Sequence, residues 1–197
     1  MTIFQILMLG MAAFFSYKVY QHVQNLEDNE QNDKPTPRSQ NGFSPFDPEQ
    51  LVKKADEAFM EGNLQKAFAL LDEANVKDPS NPDILAKMGY ISAQEERDNE
   101  AISYYQEALG IDKYNDTMHN ALASLFRKIG DFSKAEEHYK KALEIDDKYD
   151  VTYFNYANLL ADMNQYDEAL KMYEKALELN PELEEAKAEI EKIKDRV

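Results

Sequence analysis

Ala67, Ala101, Ala135 and Ala169 stand 34 residues apart, and a second alanine keeps the same step at Ala74, Ala108, Ala142 and Ala176. Small side chains are needed where two antiparallel helices cross closely. A fixed step of this length therefore means helical hairpins stacked in a row, each burying the apolar face of its neighbour. Other positions share the register. Leu71, Tyr105, Tyr139 and Tyr173 place a large side chain between the two alanines, and Leu109, Leu143 and Leu177 follow three of the second ones. Gly62 and Gly130 fall where the first helix of a hairpin gives way to the second, a place where glycine takes a positive φ without a Cβ penalty. Glu96 and Asn164 occupy it in the other two hairpins. Leu64, Phe132 and Tyr166 open second helices, with Asp98 in that position of the second repeat; Pro79 and Pro181 close repeats one and four, Lys113 and Asp147 the middle ones.

This pattern of small residue, aromatic and closing proline over about residues 48–181 resembles the tetratricopeptide repeat (TPR) family. The resemblance implies an all-α fold, a right-handed α-solenoid of four antiparallel helix pairs. The repeats fall at about 48–81, 82–115, 116–149 and 150–183, with helices expected at about 48–61 and 64–77, 82–95 and 98–111, 116–129 and 132–145, 150–163 and 166–179. Helical spacing agrees, since Leu122, Leu125, Phe126 and Ile129 recur at three and four. Residues 182–196 read as a capping helix, in which Leu183, Ala186, Ile190, Ile193 and Val197 form one stripe and Glu and Lys fill the rest, the polar back that the end of a solenoid requires. With 43% hydrophobic residues, 30% charged residues and only 6 glycines, the composition suits a helical array of modest core and not a deep enzyme pocket.

The amino terminus is of another kind. From Ile3 to Tyr17 the only strongly polar residue is Gln5, and the first basic side chain is Lys18. One hydrophobic helix from Ile3 to Tyr20 would extend roughly 27 Å, close to the thickness of a thin hydrocarbon core. Three readings compete: an uncleaved transmembrane anchor over 1–24, a cleaved secretory signal, and an interfacial or partner-bound helix. A signal peptide wants basic residues ahead of the apolar run and a small-x-small cleavage site behind it, and both are missing here, which favours the anchor. Lys18, Lys34 and Arg38 all follow the run, so the positive-inside rule expects a single-pass protein with its TPR domain, 46–197, on the cytoplasmic side; a periplasmic array stays open on the same rule. Residues 25–45 are polar throughout except Leu26 and Phe43, and read as a flexible linker.

The formal net charge of −16 disfavours nucleic acid and anionic lipid headgroups as partners, because an acidic surface repels phosphate. Chemistry is sparse. No cysteine is present, no nucleophile, phosphate-loop or dinucleotide motif occurs, and His22, His119 and His138 are too widely spaced for a HExxH site. His119 falls on an apolar-facing position, where packing is the simpler role. The aspartates at 112, 116, 146, 147 and 150 gather at inter-repeat turns, where capping and turn formation explain them. The expectation is thus no catalytic residue, no cofactor and no metal.

The family resemblance points instead to protein or peptide binding in an inner groove lined by the first helix of each pair. Helical spacing leaves Asp56, Phe59 and Met60, then Lys87, Tyr90 and Gln94, then Asn120, Ser124, Arg127 and Lys128, then Phe154, Asn155, Asn158 and Asp162 on that face. The candidate partner-binding residues are Lys87, Tyr90, Asn120, Ser124, Arg127, Lys128, Asn155 and Asn158: amides for a peptide backbone, cations for acidic side chains or a terminal carboxylate. The carboxylate clamp of the chaperone-tail-binding members is missing, for its opening positions hold Val52 and Asp56 or, one repeat later, Ala86 and Tyr90. The reading is a membrane-tethered, non-catalytic scaffold. The alternatives are an extracytoplasmic envelope-assembly factor and, from another class, an enzyme; self-association is a further possibility.

Overall fold

A computed structural model describes residues 47–194, and the expected anchor and linker lie outside them. Among the described residues there are nine helices and no strand: α1 Pro48–Met60, α2 Leu64–Lys77, α3 Pro82–Gln94, α4 Asp98–Ile111, α5 Asp116–Lys128, α6 Phe132–Ile145, α7 Asp150–Asp162, α8 Tyr166–Leu179 and α9 Glu184–Lys194. The eight paired helices match the expected spans except that each first helix ends one residue early. None of the helices among the described residues is long and apolar enough to cross a membrane.

Five helices start on a side-chain cap, and the first helix of every pair stops in the same way. The side chains of Asp47, Asn81 and Asn115 accept backbone N–H bonds at the starts of α1, α3 and α5, and Asn63 and Asp131 do the same for α2 and α6. Pro48 and Pro82 sit in the first turn, where a missing N–H costs nothing. The first helix of every pair ends in a left-handed residue: Gly62 (φ 78°), Glu96 (φ 60°), Gly130 (φ 83°) and Asn164 (φ 60°). The N–H of the following residue then reaches back five positions, from Asn63, Arg97, Asp131 and Gln165 to the carbonyls of Ala58, Ser92, Phe126 and Leu160, which satisfies helix-end carbonyls in the Schellman manner.

The eight alanines of the repeat register are all fully buried, at 0% exposure. Opposite them Ala55, Gly89, Ala123 and Ala157 are buried as well, so both helices of a pair are small where they cross. Gly89 leaves little room for a side chain, since a Cβ built there would stand 3.1 Å from the Tyr105 ring. Each second helix packs on the first helix of the next repeat, and α9 closes the row by laying Ala186, Ile190 and Ile193 against α8 and the core. The aspartates of the turns behave as expected: Asp112 accepts from the Tyr114 N–H and the Asn115 amide, Asp146 from the Lys148 N–H, and Asp150 from the Asn180 amide.

Candidate functional site

The first helices α1, α3, α5 and α7 stand side by side and are bridged directly. Lys87 Nζ donates to Asp56 Oδ1 between α3 and α1, and Arg127 Nε donates to Asp162 Oδ2 at 2.6 Å between α5 and α7. Asn155 Nδ2 donates to Asn120 Oδ1 at 3.3 Å along the same face. Lys128 points elsewhere: its Nζ donates to Asp98 Oδ1 at 2.8 Å, at the start of α4. All three cations expected to receive a partner's carboxylate are therefore already paired with carboxylates of neighbouring helices.

Two more of the candidate residues are committed within their own repeat. Ser124 Oγ donates to the Asn120 carbonyl, so its contact with the Tyr139 hydroxyl at 2.9 Å is one in which Tyr139 donates. Tyr173 donates to Asn158 Oδ1 at 2.6 Å. The residue that caps the tyrosine lies fifteen positions ahead of it in both repeats. In repeat two that position is Tyr90, whose ring packs against Phe59, and the Tyr105 hydroxyl has no hydrogen-bond partner among the described residues. Burial pushes the Tyr105 phenol up to about 12, so it stays protonated and able to donate.

Tyr105 lines a cavity of about 520 Å³ that opens between α1, α3 and α5. Small residues make the room: Ala86 and Ala121 form part of the lining, with Met118, Leu71 and Ile91. Phe59 and Tyr90, whose ring centroids are 5.6 Å apart, form one wall, and Asp56, Lys87 and Asp83 bring charge to the lining. In repeat four the position of Ala86 belongs to Phe154, which fills the space and packs against Tyr173 with centroids 5.7 Å apart. Of the eight candidate residues, the cavity gathers Lys87 and Tyr90, whereas Asn120, Ser124, Arg127, Lys128, Asn155 and Asn158 lie outside its lining. Asp83, Ala86, Met118 and Ala121 were not among the candidates. The signal that could have found them is the alignment of repeats itself, which sets Ala86 against Phe154.

Elsewhere, His119 and His138 meet across α5 and α6, with Nδ1 atoms 2.8 Å apart. His119 Nε2 lies 3.3 Å from the Lys113 carbonyl, which can only accept, so His119 carries its proton on Nε2 and receives the Nδ1–H of His138. Burial lowers the His138 pKa to about 4, with His119 and Lys141 adding to the effect and Glu137 opposing it. His119 is lowered too, first by burial, while the Lys113 carbonyl, Asp116 and Glu137 work against that shift. Among the described residues no three His, Asp or Glu side chains are grouped as a metal site.

The model of the tetratricopeptide repeat matches residues 80–148 and 114–182, together more than half of the chain. The chain belongs to the tetratricopeptide repeat family. No curated protein matches it by sequence. Among solved structures it is similar to a tetratricopeptide repeat protein from Parabacteroides merdae, with 25% identity, a TM-score of 0.66 and coverage of 76% of this chain and 60% of that one. MamA from Desulfovibrio magneticus gives 15% identity, a TM-score of 0.70 and coverage of 76% and 84%, a likeness of fold alone. The first TPR of Spaghetti (RPAP3), bound to the Hsp90 peptide SRMEEVD, gives 27% identity, a TM-score of 0.58 and coverage of 59% and 92%. The TPR fold is a protein-interaction fold, which agrees with a site built of packing residues and hydrogen-bonding groups.

Proposed function

We propose that this chain is a membrane-tethered, non-catalytic TPR scaffold that holds a partner protein or peptide in the groove of its first helices. The observation that carries the binding reading is the open cavity between α1, α3 and α5 with the Tyr105 hydroxyl left unpaired at its wall. That hydroxyl opens on the cavity and is free to donate, and a bound polypeptide supplies an acceptor. The tether rests on the apolar run Ile3–Tyr17 and the basic residues after it, which assign the array to the cytoplasmic side. The polar run 25–45 gives the array reach above the bilayer. The Spaghetti domain takes a peptide with three acidic residues; this chain, with Asp56 and Tyr90 where a clamp would stand and its groove cations already paired, is built for a different ligand.

The test is position-dependent crosslinking in native membranes, with a photoreactive amino acid in place of Tyr90 in the groove or of Lys140 on α6. An adduct of defined mass from the Tyr90 position alone is the expected result; equal adducts from both positions sink the groove. Alkaline carbonate washing should leave the full chain in the membrane and release a chain lacking residues 1–24. Protease cutting of intact spheroplasts would move the array to the outer side.

A further inference from the structure

We propose that the cavity between α1, α3 and α5 seats an apolar side chain of the partner polypeptide, with a neighbouring lysine or arginine of that partner held at Asp83 and a backbone carbonyl accepting from the Tyr105 hydroxyl. This rests on the groove reading above and names the ligand's chemistry. Three independent features converge on it. The lining is mostly apolar, and its volume of about 520 Å³ is created by Ala86 and Ala121 where repeat four has Phe154 and Asn155. A cavity of roughly 300–1,000 Å³ is the size that takes compact ligands or a few side chains. Its only cation, Lys87, is held by Asp56, which leaves the exposed carboxylate of Asp83, at the second position of α3, without an ion-pair partner among the described residues. The site is thus acidic in balance, within a chain of net charge −16, and charge complementarity selects a basic flank and repels an acidic one.

The third feature is the hydroxyl. Tyr105 is 5% exposed, yet its oxygen opens on the cavity with no partner, while Tyr139 and Tyr173 in the same register are capped from within. A peptide lying along the groove brings a carbonyl every residue, and the pre-oriented phenol donates to one of them without reorganisation. The side chain beside that carbonyl drops between Ala86, Ala121 and Met118.

The test uses the full chain in detergent micelles and two fluorescein-labelled nonapeptides in a glycine-serine background, one with a central leucine flanked by lysines and one with it flanked by glutamates. Fluorescence anisotropy should show the lysine-flanked peptide binding at least tenfold more tightly, with the preference shrinking as salt rises. Ala86→Phe, which copies the chain's own filling of repeat four, should weaken it at least tenfold. Asp83→Lys should erase the lysine preference, and Tyr105→Phe should weaken binding several-fold while Tyr139→Phe does not. Circular dichroism checks that each variant is folded, and should Ala86→Phe fail to fold, the Asp83→Lys and Tyr105→Phe results decide. Equal binding of both peptides, or binding that ignores Ala86→Phe but disappears in Asn155→Leu, overturns this assignment and leaves a groove reading standing elsewhere on α7. Failure of both peptides to bind overturns the assignment alone when the Tyr90 crosslink forms, and overturns both readings when it does not.

Discussion

The groove has two halves built on one scaffold. In repeats three and four the polar side chains singled out on the face are bonded to one another: Tyr139 to Ser124, Tyr173 to Asn158, Asn120 to Asn155, Arg127 to Asp162. In repeats one and two Lys87 and Asp56 also pair, but Ala86 and Tyr90 stand where repeat three has Asn120 and Ser124, a cavity takes the place of a filler, and the Tyr105 hydroxyl is unpaired. Rigidity in the first case and receptivity in the second come from exchanging side chains at fixed register points, with the backbone unchanged. A polar residue on a groove is therefore not in itself a recognition group; what matters is whether the array has already used it.

Acid should invert this contrast, and it is the largest effect expected. His138 is neutral in the folded chain, with a pKa lowered to about 4 against an ordinary 6.5. The unfolded chain therefore binds more protons between those values, and stability that is full above pH 6.5 is lost as pH falls toward 4. Because water still reaches part of the ring, the loss is less than the full shift would give, about 2.5 kcal/mol at most. The pair joins α5 to α6, so hydrogen exchange at pH 4.5 should rise most in repeat three while α1 and α2 keep their protection. His138→Phe should flatten the slope. A pH response spread evenly over all four repeats would break the argument.

Phe154→Ala tests the same contrast by volume. It removes the filler that repeat two lacks, and because Phe154 is only half-buried the cost should be about 2 kcal/mol, at the low end for loss of an aromatic. Urea unfolding measures it. If the variant also gains affinity for the lysine-flanked peptide, the closed half has been opened; if stability is unchanged, Phe154 is not what fills that half.

The two tyrosines separate the halves by hydrogen bonding alone. Tyr139→Phe removes a satisfied bond and should cost about 1 kcal/mol, whereas Tyr105→Phe removes an unpaired hydroxyl and should cost close to nothing. Equal losses by urea unfolding would mean that Tyr105 has a partner in solution.

Much of the scaffold is legible before any coordinates. Alanine spacing specifies the crossings because only small residues let two helices approach, and the turn positions of Gly62, Glu96, Gly130 and Asn164 follow from the same register. The groove is less legible. Its face can be read from helical spacing, but Arg127 and Asp162 pair across 35 residues, and whether a long side chain reaches a neighbour depends on inter-repeat distances that no one-dimensional pattern contains. His119 and His138 escaped for a related reason: nineteen residues apart, they meet only because α5 crosses α6 there. The free hydroxyl of Tyr105 was within reach of sequence reasoning, by asking what stands fifteen positions before each tyrosine.

The smallest expected effect concerns the turns, where repeats two and four both depart from glycine. Glu96 and Asn164 share a φ of 60°, yet the side chains meet it differently. Asparagine tolerates the left-handed region, and Asn164 Oδ1 also accepts from the Tyr166 hydroxyl at 2.8 Å, so Asn164→Gly exchanges one small gain for a lost bond. Glutamate has no such local bond here, and Glu96→Gly relieves a penalty of about 1 kcal/mol, partly offset by the greater freedom of glycine in the unfolded chain. The net expectation is a gain of about 0.5 kcal/mol for Glu96→Gly and none for Asn164→Gly, read from urea unfolding. The direction matters more than the size. If relaxing the turn of repeat two also lowers affinity for the lysine-flanked peptide, the strained turn helps hold α3 and α4 apart at the cavity; if affinity is unchanged, the cavity is made by Ala86 and Ala121 alone.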